Sequence, residues 1–366
     1  MVKSADRQPA GAVAAPDPAA PAPAAPRTVA RRTDTSRAEQ PGAARTEAPA
    51  TEAPATEAPA TKDLDTKASR TKAPRVAVIA HRKKTIGGGL DELRKLITGY
   101  EVEDLLWYEV PKSKKAPKKV RQALKEGAEL FFVWGGDGTV QRCVDALAGS
   151  DAAVAIVPAG TANLLARNLE IPEDLAEAVR IGFEGRRARL DLGKINGEHF
   201  AVMAGVGLDA EMIADADRGL KDRLGRLAYI WTGLRHVGGS VTPMKVKVDG
   251  NDWFEGDASC VLVGNVGTVT GGIDVFEDAR YDDGWLEVGV STAEGPIQWA
   301  RTLGRMSAGN AEKSPFVRIT RARKVSVKLQ TPMAYELDGG ARDRVKRITV
   351  KVVPEAVTLC LPDTTG

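Results

Sequence analysis

LFFVWGGDGTV (Leu130–Val140) decides the reading of this chain. Leu130–Trp134 is a short apolar run, the pattern of a buried strand, and it passes directly into the glycine-rich GGDGT. Val140, Val144 and Leu147 then follow at helical spacing. In an open parallel sheet, ligands sit beyond the carboxyl ends of the strands, where a glycine turn and a helix N-terminus favour phosphate groups. Gly135, Gly136 and Gly138 would bring backbone N–H groups close to a phosphate, and Thr139 would offer a hydroxyl. Asp137 is the unusual member. A carboxylate repels phosphate, so it implies a bridging Mg²⁺ or a proton acceptor for an attacking hydroxyl. The plainer alternative is a tight strand-to-helix turn with Asp137 as a cap.

The segments around this turn repeat its pattern. RVAVIA (Arg75–Ala80), LLWYEV (Leu105–Val110) and VAIVP (Val154–Pro158) read as strands. Leu90, Leu93, Leu96 and Ile97 mark one helix, and Pro117–Glu126 a second, stopped by Gly127. PAGTAN (Pro158–Asn163) is a second strand-to-helix turn, so Gly160, Thr161 and Asn163 join the candidate phosphate contacts. Strands alternating with helices predict a doubly wound α/β domain over 75–187. After about Arg187 the rhythm changes. HFAVMAGVG, MKVKVDG, CVLVGNV, LEVGV, KVSVKL and RITVKVV are short strands between Gly, Asp and Asn turns, the signature of a mostly antiparallel β domain over 188–353. One helical stretch, Arg218–Val237, interrupts them.

Residues 1–74 are different material. Ala, Pro and Thr dominate, and TEAPA occurs three times in tandem from Thr46. So few large apolar side chains cannot offset the entropy of ordering, which predicts a disordered tail. The whole chain of 366 residues carries a net charge of only +3, which excludes a dominant polyelectrolyte and gives no reason to expect nucleic acid as a partner. Three scattered cysteines and three histidines exclude a disulfide scaffold and a multi-histidine metal site. No apolar run reaches the ~18 residues of a membrane span, and no uninterrupted signal-peptide core is found. A cytoplasmic location is the expectation. GxxxxGK[ST], an early GxGxxG and GxSxG are all absent, which disfavours P-loop NTPases, common dinucleotide dehydrogenases and α/β-hydrolases.

GGDGT, then PAGTAN, then VGNVGTVTGG (Val263–Gly272), RYDDGWLEV (Arg280–Val288) and ELDGG (Glu336–Gly340) stand in the order of the bacterial soluble diacylglycerol kinase-like lipid kinases, relatives of sphingosine kinases. The chain resembles that family over about Arg75–Pro362. The resemblance implies a nucleotide-binding α/β domain and a β-sandwich domain, with residues 354–362 returning to the first. It implies ATP on Gly135–Thr139, Gly160, Thr161 and Asn163. It also implies a structural Mg²⁺ held by the Asp283 side chain with the Arg280 and Trp285 carbonyls. Read without the family, DDG is simply a turn into a strand.

Several positions depart from the family pattern. The late motif is DGE, and here Asp338 matches while Gly340 replaces the glutamate. Gln141 and Arg142 replace an acid after GGDGT, and Leu164 follows Asn163 where Asp is common. His81, followed by Gly87–Gly89, replaces the usual loop after the first strand. The implied activity is γ-phosphoryl transfer from ATP to a lipid hydroxyl, diacylglycerol by default, with Asp338 as base and Asp137 next. A sphingoid base or another lipid alcohol is an alternative acceptor. NAD kinase is the alternative enzyme, and a nucleotide- or lipid-binding protein without turnover is the non-enzymatic one. The amphipathic Arg218–Val237 segment and the basic run Lys112–Lys119 fit contact with a membrane, the plainer alternatives being a helix packed on the β domain and a solvated surface; peripheral membrane association and a homodimer are further expectations.

Overall fold

The computed structural model describes residues 73–207, 241–269, 273–306 and 308–363. The expected tail, apart from its last two residues, lies outside them. So do the Arg218–Val237 helix and residues 270–272 of the glycine motif.

The strands are β1 (Arg75–His81), β2 (Asp104–Val110), β3 (Leu130–Gly135), β4 (Ala153–Pro158), β5 (Arg186–Ile195), β6 (Glu198–Phe200), β7 (Met203–Val206), β8 (Thr242–Val248), β9 (Asn251–Ala258), β10 (Cys260–Gly264), β11 (Thr268–Val269), β12 (Ile273–Asp274), β13 (Leu286–Ser291), β14 (Val317–Ala322), β15 (Lys324–Leu337) and β16 (Gly340–Leu361). The described helices are α1 (Gly89–Thr98), α2 (Ala116–Lys125), α3 (Asp137–Leu147), α4 (Leu164–Asn168), α5 (Leu175–Glu184) and α6 (Gly295–Met306).

The first four strands form a parallel sheet in the order β2-β1-β3-β4. Both faces are buried, which is why these strands read as continuous apolar runs. Ala77, Ile79, Phe131, Val133, Val154 and Ile156 pack on one face. Val76, Val78, Phe132, Trp134, Ala155 and Val157 pack on the other. Strand order reverses between β1 and β3, so the loops after these strands diverge and open a crevice at their carboxyl ends.

The second half is antiparallel. The path β14-β13-β10-β7-β15-β16 continues the same sheet, with β5 and β6 on one side and β8 and β9 on another. Its core includes Phe200, Val206, Val246, Val263, Val288, Val327 and Leu337. β16 belongs to both halves. It pairs with β15 as a hairpin, and Thr358 and Leu359 then pair in parallel with Ala153 and Val154 of β4. This fixes the later acidic hairpin relative to the glycine turns.

Candidate active site

The two glycine turns touch. Gly136 ends the β3 strand's exit and Gly160 the β4 strand's exit, and a Cβ built on Gly160 would stand 2.5 Å from the Gly136 Cα. Only glycine permits that approach. The Ala159 N–H donates to the Gly135 carbonyl at 3.0 Å, closing the pair from below.

Asp137 is the clasp. Its carboxylate accepts from the Asn163 N–H at 3.0 Å and the Leu164 N–H at 2.5 Å. These belong to the start of α4, so Asp137 caps a helix across the crevice rather than its own. Each Asp137 oxygen is engaged by one backbone amide, as the capping alternative requires, and each keeps a second acceptor position. Asn163 is likewise structural. It is buried with φ 49°, its Oδ1 accepts from the Gly160 N–H at 2.8 Å, and its Nδ2 donates to the Gly160 carbonyl at 3.2 Å. The Asn163 side chain and the Gly160 N–H are therefore engaged with each other within the turn. Thr161 stands exposed at the tip. The donors left over are the N–H groups of Gly136, Asp137 and Gly138 at the start of α3, which the helix itself cannot satisfy. The Thr139 hydroxyl is buried and shares a 2.8 Å hydrogen bond with Ser113 Oγ. This brings the loop after β2, with Lys112, Lys114 and Lys115 exposed, beside the turn. Sequence reading singled out that basic run but missed Ser113, for which no local signal exists.

Asp338 lies on the crevice side of the molecule, near enough to Asp137 to feel its charge. It opens a two-residue hairpin turn, Asp338 (φ 44°) and Gly339 (φ 77°), joining β15 to β16. Asp-Gly at two positive φ angles is the favoured chemistry of such a turn. The carboxylate is 5% exposed and accepts three backbone N–H groups, from Ala201 at 2.9 Å, Val202 at 3.0 Å and Met203 at 2.9 Å. Burial pushes its pKa up to about 6, the three amides pull it back, and the Asp137 charge adds to the rise. Asp338 thus positions the 201–203 turn. As the expected proton acceptor it is a poor fit, because its lone pairs are largely committed.

Gly340 stands where a glutamate was expected. A Cβ there would meet Arg342 Nη1 at 2.9 Å. Arg342 is instead held by Glu198, at 2.6 Å and 2.9 Å to one oxygen. Two residues before Asp338, Glu336 is an acid without a full complement of partners: its Oε2 is buried with none among the described residues. Sequence reading passed over it, although an acid inside an alternating apolar strand was the available signal.

The remaining motifs tie the halves together. Asn265 of GNVG donates from its N–H to the Val202 carbonyl at 2.9 Å and from Nδ2 to the Asp191 and Ala201 carbonyls at 2.8 and 3.1 Å. Asn168 of α4 donates to the Thr268 carbonyl at 2.8 Å and accepts the Thr268 N–H at 3.0 Å. Asp191, missed in the sequence, is buried in β5 and accepts from the Gly284 and Glu355 N–H groups at 2.5 and 2.8 Å.

The implied Mg²⁺ ligands do not fit a metal. Asp283 accepts the Trp285 N–H at 3.0 Å and is ion-paired with the Arg321 guanidinium. Arg321 also holds Glu287 at 2.9 Å. Arg280 turns its side chain to Asp282 at 3.6 Å. The Arg321 guanidinium already supplies a positive charge to the Asp283 carboxylate, so the segment expected to hold Mg²⁺, Arg280, Asp283 and Trp285, is seen here as a turn closed by an ion pair.

Comparison with known proteins agrees with this architecture. Residues 75–195 match the diacylglycerol kinase catalytic domain, and residues 201–361 match the YegS C-terminal NAD kinase beta sandwich-like domain. A Pseudomonas aeruginosa protein named "Probable lipid kinase YegS-like" is 33% identical over 251 residues, covering 68% of this chain and 81% of that one. This chain belongs to the diacylglycerol kinase-like lipid kinase family. A Staphylococcus saprophyticus "Diacylglycerol kinase" is 26% identical, covering 70% of this chain and 83% of its own. The fold is also that of a diacylglycerol kinase crystal structure from Bacillus anthracis, with TM-score 0.63 and 22% identity over 81% of this chain and all of that one. Among the described residues no helix is long and apolar enough to cross a membrane.

Proposed function

We propose that the protein transfers the γ-phosphoryl group of ATP to the hydroxyl of a lipid alcohol, with diacylglycerol as acceptor and phosphatidic acid as product. The observation that carries this reading is the clasp: Asp137 fixes the two glycine turns against each other. They thereby present the free N–H groups at the head of α3 to one polyphosphate. Phosphoryl transfer depends mainly on such positioning and on charge neutralisation. The helix N-terminus supplies part of that charge. Exposed Lys83 after β1, with Lys112, Lys114 and Lys115 after β2, supplies more at the same end of the sheet. Mg²⁺ enters this reading with the nucleotide, not at Asp283.

Diacylglycerol is supported by the names of the relatives, and the sphingoid-base and NAD alternatives are arms of the same test. Purified protein, ATP and Mg²⁺ are incubated with diacylglycerol, a sphingoid base, other lipid alcohols and NAD, and products are identified by mass. Phosphatidic acid in excess of every other product supports the proposal. NADP as the sole product would replace it with the NAD kinase reading. A lipid acceptor also requires the protein to visit a bilayer, so sedimentation with anionic liposomes should be salt-sensitive. Equal recovery in the supernatant with and without anionic lipid would remove peripheral membrane association.

A further inference from the structure

We propose that Glu336 is the catalytic base of this lipid kinase, taking the proton of the acceptor hydroxyl in place of the missing glutamate at position 340. The proposal rests on the phosphotransferase reading above.

Three acids lie in sequence along one line of electrostatic contact: Asp137, Asp338 and Glu336. The first two have their carboxylates committed to two and three backbone amides respectively. Glu336 is different. It takes one hydrogen bond from the Gly339 N–H, and its Oε2 is shielded from solvent with no hydrogen-bond partner among the described residues. A buried, unpaired carboxylate oxygen costs stability, so its persistence calls for a ligand that donates to it.

Its direction follows from the strand. Tyr335 and Leu337 point into the sandwich core, so Glu336 points out of it. On the neighbouring β7, Ala204 and Val206 also face that core, leaving Met203 on the Glu336 side. Met203 packs both against the core of the α/β domain and against the smaller cluster that includes Val275, Phe276 and Met306. The carboxylate therefore stands on the side of the sheet from which Met203 reaches both clusters. Its register partners, Gly205 on β7 and Ala341 on β16, bring no charge to it. Arg342, a cation of the same hairpin, is committed to Glu198. Asp338 is the charged group that acts on it directly. Burial and the Asp338 charge push the Glu336 pKa up to about 7, which suits a base working near neutrality.

The step balances without a further reactant. The hydroxyl oxygen forms a bond to Pγ as its O–H bond breaks and the proton passes to Glu336 Oε2. The bond between Pγ and the bridging oxygen breaks, and its electron pair stays on ADP. The proton is then lost to water.

The test is Glu336→Gln in the full chain, compared with wild type in phosphorylation of the lipid alcohol. Expected is a loss of about 10²–10⁴-fold in kcat, with unchanged affinity for a fluorescent ATP analogue. The rise of kcat with pH through neutrality, present in wild type, should vanish from the residual activity. Glu336→Asp should restore part of the rate and keep the pH limb, and it repeats the test should the glutamine variant not fold. A glutamine variant with wild-type kcat, or one that keeps the wild-type pH limb, overturns the assignment while leaving the kinase reading intact. A wild-type protein that binds ATP yet phosphorylates no lipid alcohol overturns the kinase reading itself, and the role of Glu336 falls with it.

Discussion

Gly160→Ala tests the contact on which the nucleotide site is built. The new Cβ would lie 2.5 Å from the Gly136 Cα and 2.5 Å from Asn163 Oδ1. Carbon atoms in ordinary contact sit about 3.5–4.0 Å apart, so the two turns must separate by about 1 Å. Both obstacles are held: Gly136 is backbone, and Asn163 is locked by its own turn and by Asp137. The backbone of Gly160 lies outside the left-handed region, so the cost is steric and not conformational. Overpacking of this kind costs about 1–3 kcal/mol, and a misplacement of about 1 Å lowers turnover about 10²-fold. Thermal melting and kcat/KM for ATP measure the two effects. Gly138→Ala is the control for melting, because a Cβ there meets nothing within 4 Å. If Gly160→Ala melted and bound ATP like wild type, the turns would not be clasped as described.

Asp137→Asn keeps the shape but sets an amide N–H against one of two backbone donors. It should cost about 1.5–3 kcal/mol in stability and weaken ATP binding, read by melting and by nucleotide titration. Glu336→Gln should have the opposite effect on stability near neutral pH. The folded-state pKa of Glu336 is raised to about 7, so folded and unfolded chains both hold the proton at low pH and no difference arises there. Between roughly pH 4.5 and 7 the folded state retains the proton longer, and stability falls by up to about 3 kcal/mol. The glutamine variant escapes that loss and should melt several degrees higher at about pH 8 and like wild type at about pH 4.5. Because Arg321 occupies the place assigned to a structural cation, nucleotide-free protein should melt at the same temperature in Mg²⁺ and in EDTA. A clear rise with Mg²⁺ would restore the metal reading of Asp283.

The parallel half was legible because its signals are local. β1, β3 and β4 are unbroken apolar runs, and each glycine turn follows its strand directly in sequence. The antiparallel half was legible where strands alternate, as in β8 and β15, or run apolar throughout, as in β10. β9 (NDWFEGDA) hides among polar residues because it is largely exposed along one face, and β14 carries arginines for the same reason. α6 interrupts the β domain between β13 and β14. The roles within the site were the hardest to read. Asp137 was found from its glycine neighbours, but its partners lie 26 and 27 residues away. Asp338 was found, yet its three donors come from a turn more than 130 residues earlier. An Asp and an Arg that close on each other, as Asp283 and Arg321 do across a strand pair, look in sequence like a free acid and a free base.

Hydrogen–deuterium exchange with and without ATP and Mg²⁺ addresses the central claim most directly. If one triphosphate rests on both turns, peptides containing Gly136–Gly138 and Thr161–Ala162 should slow together on nucleotide binding, and neither should slow in Asp137→Asn. Saturating ATP that protects some other part of the chain and leaves both turns exchanging at their free rate would contradict it.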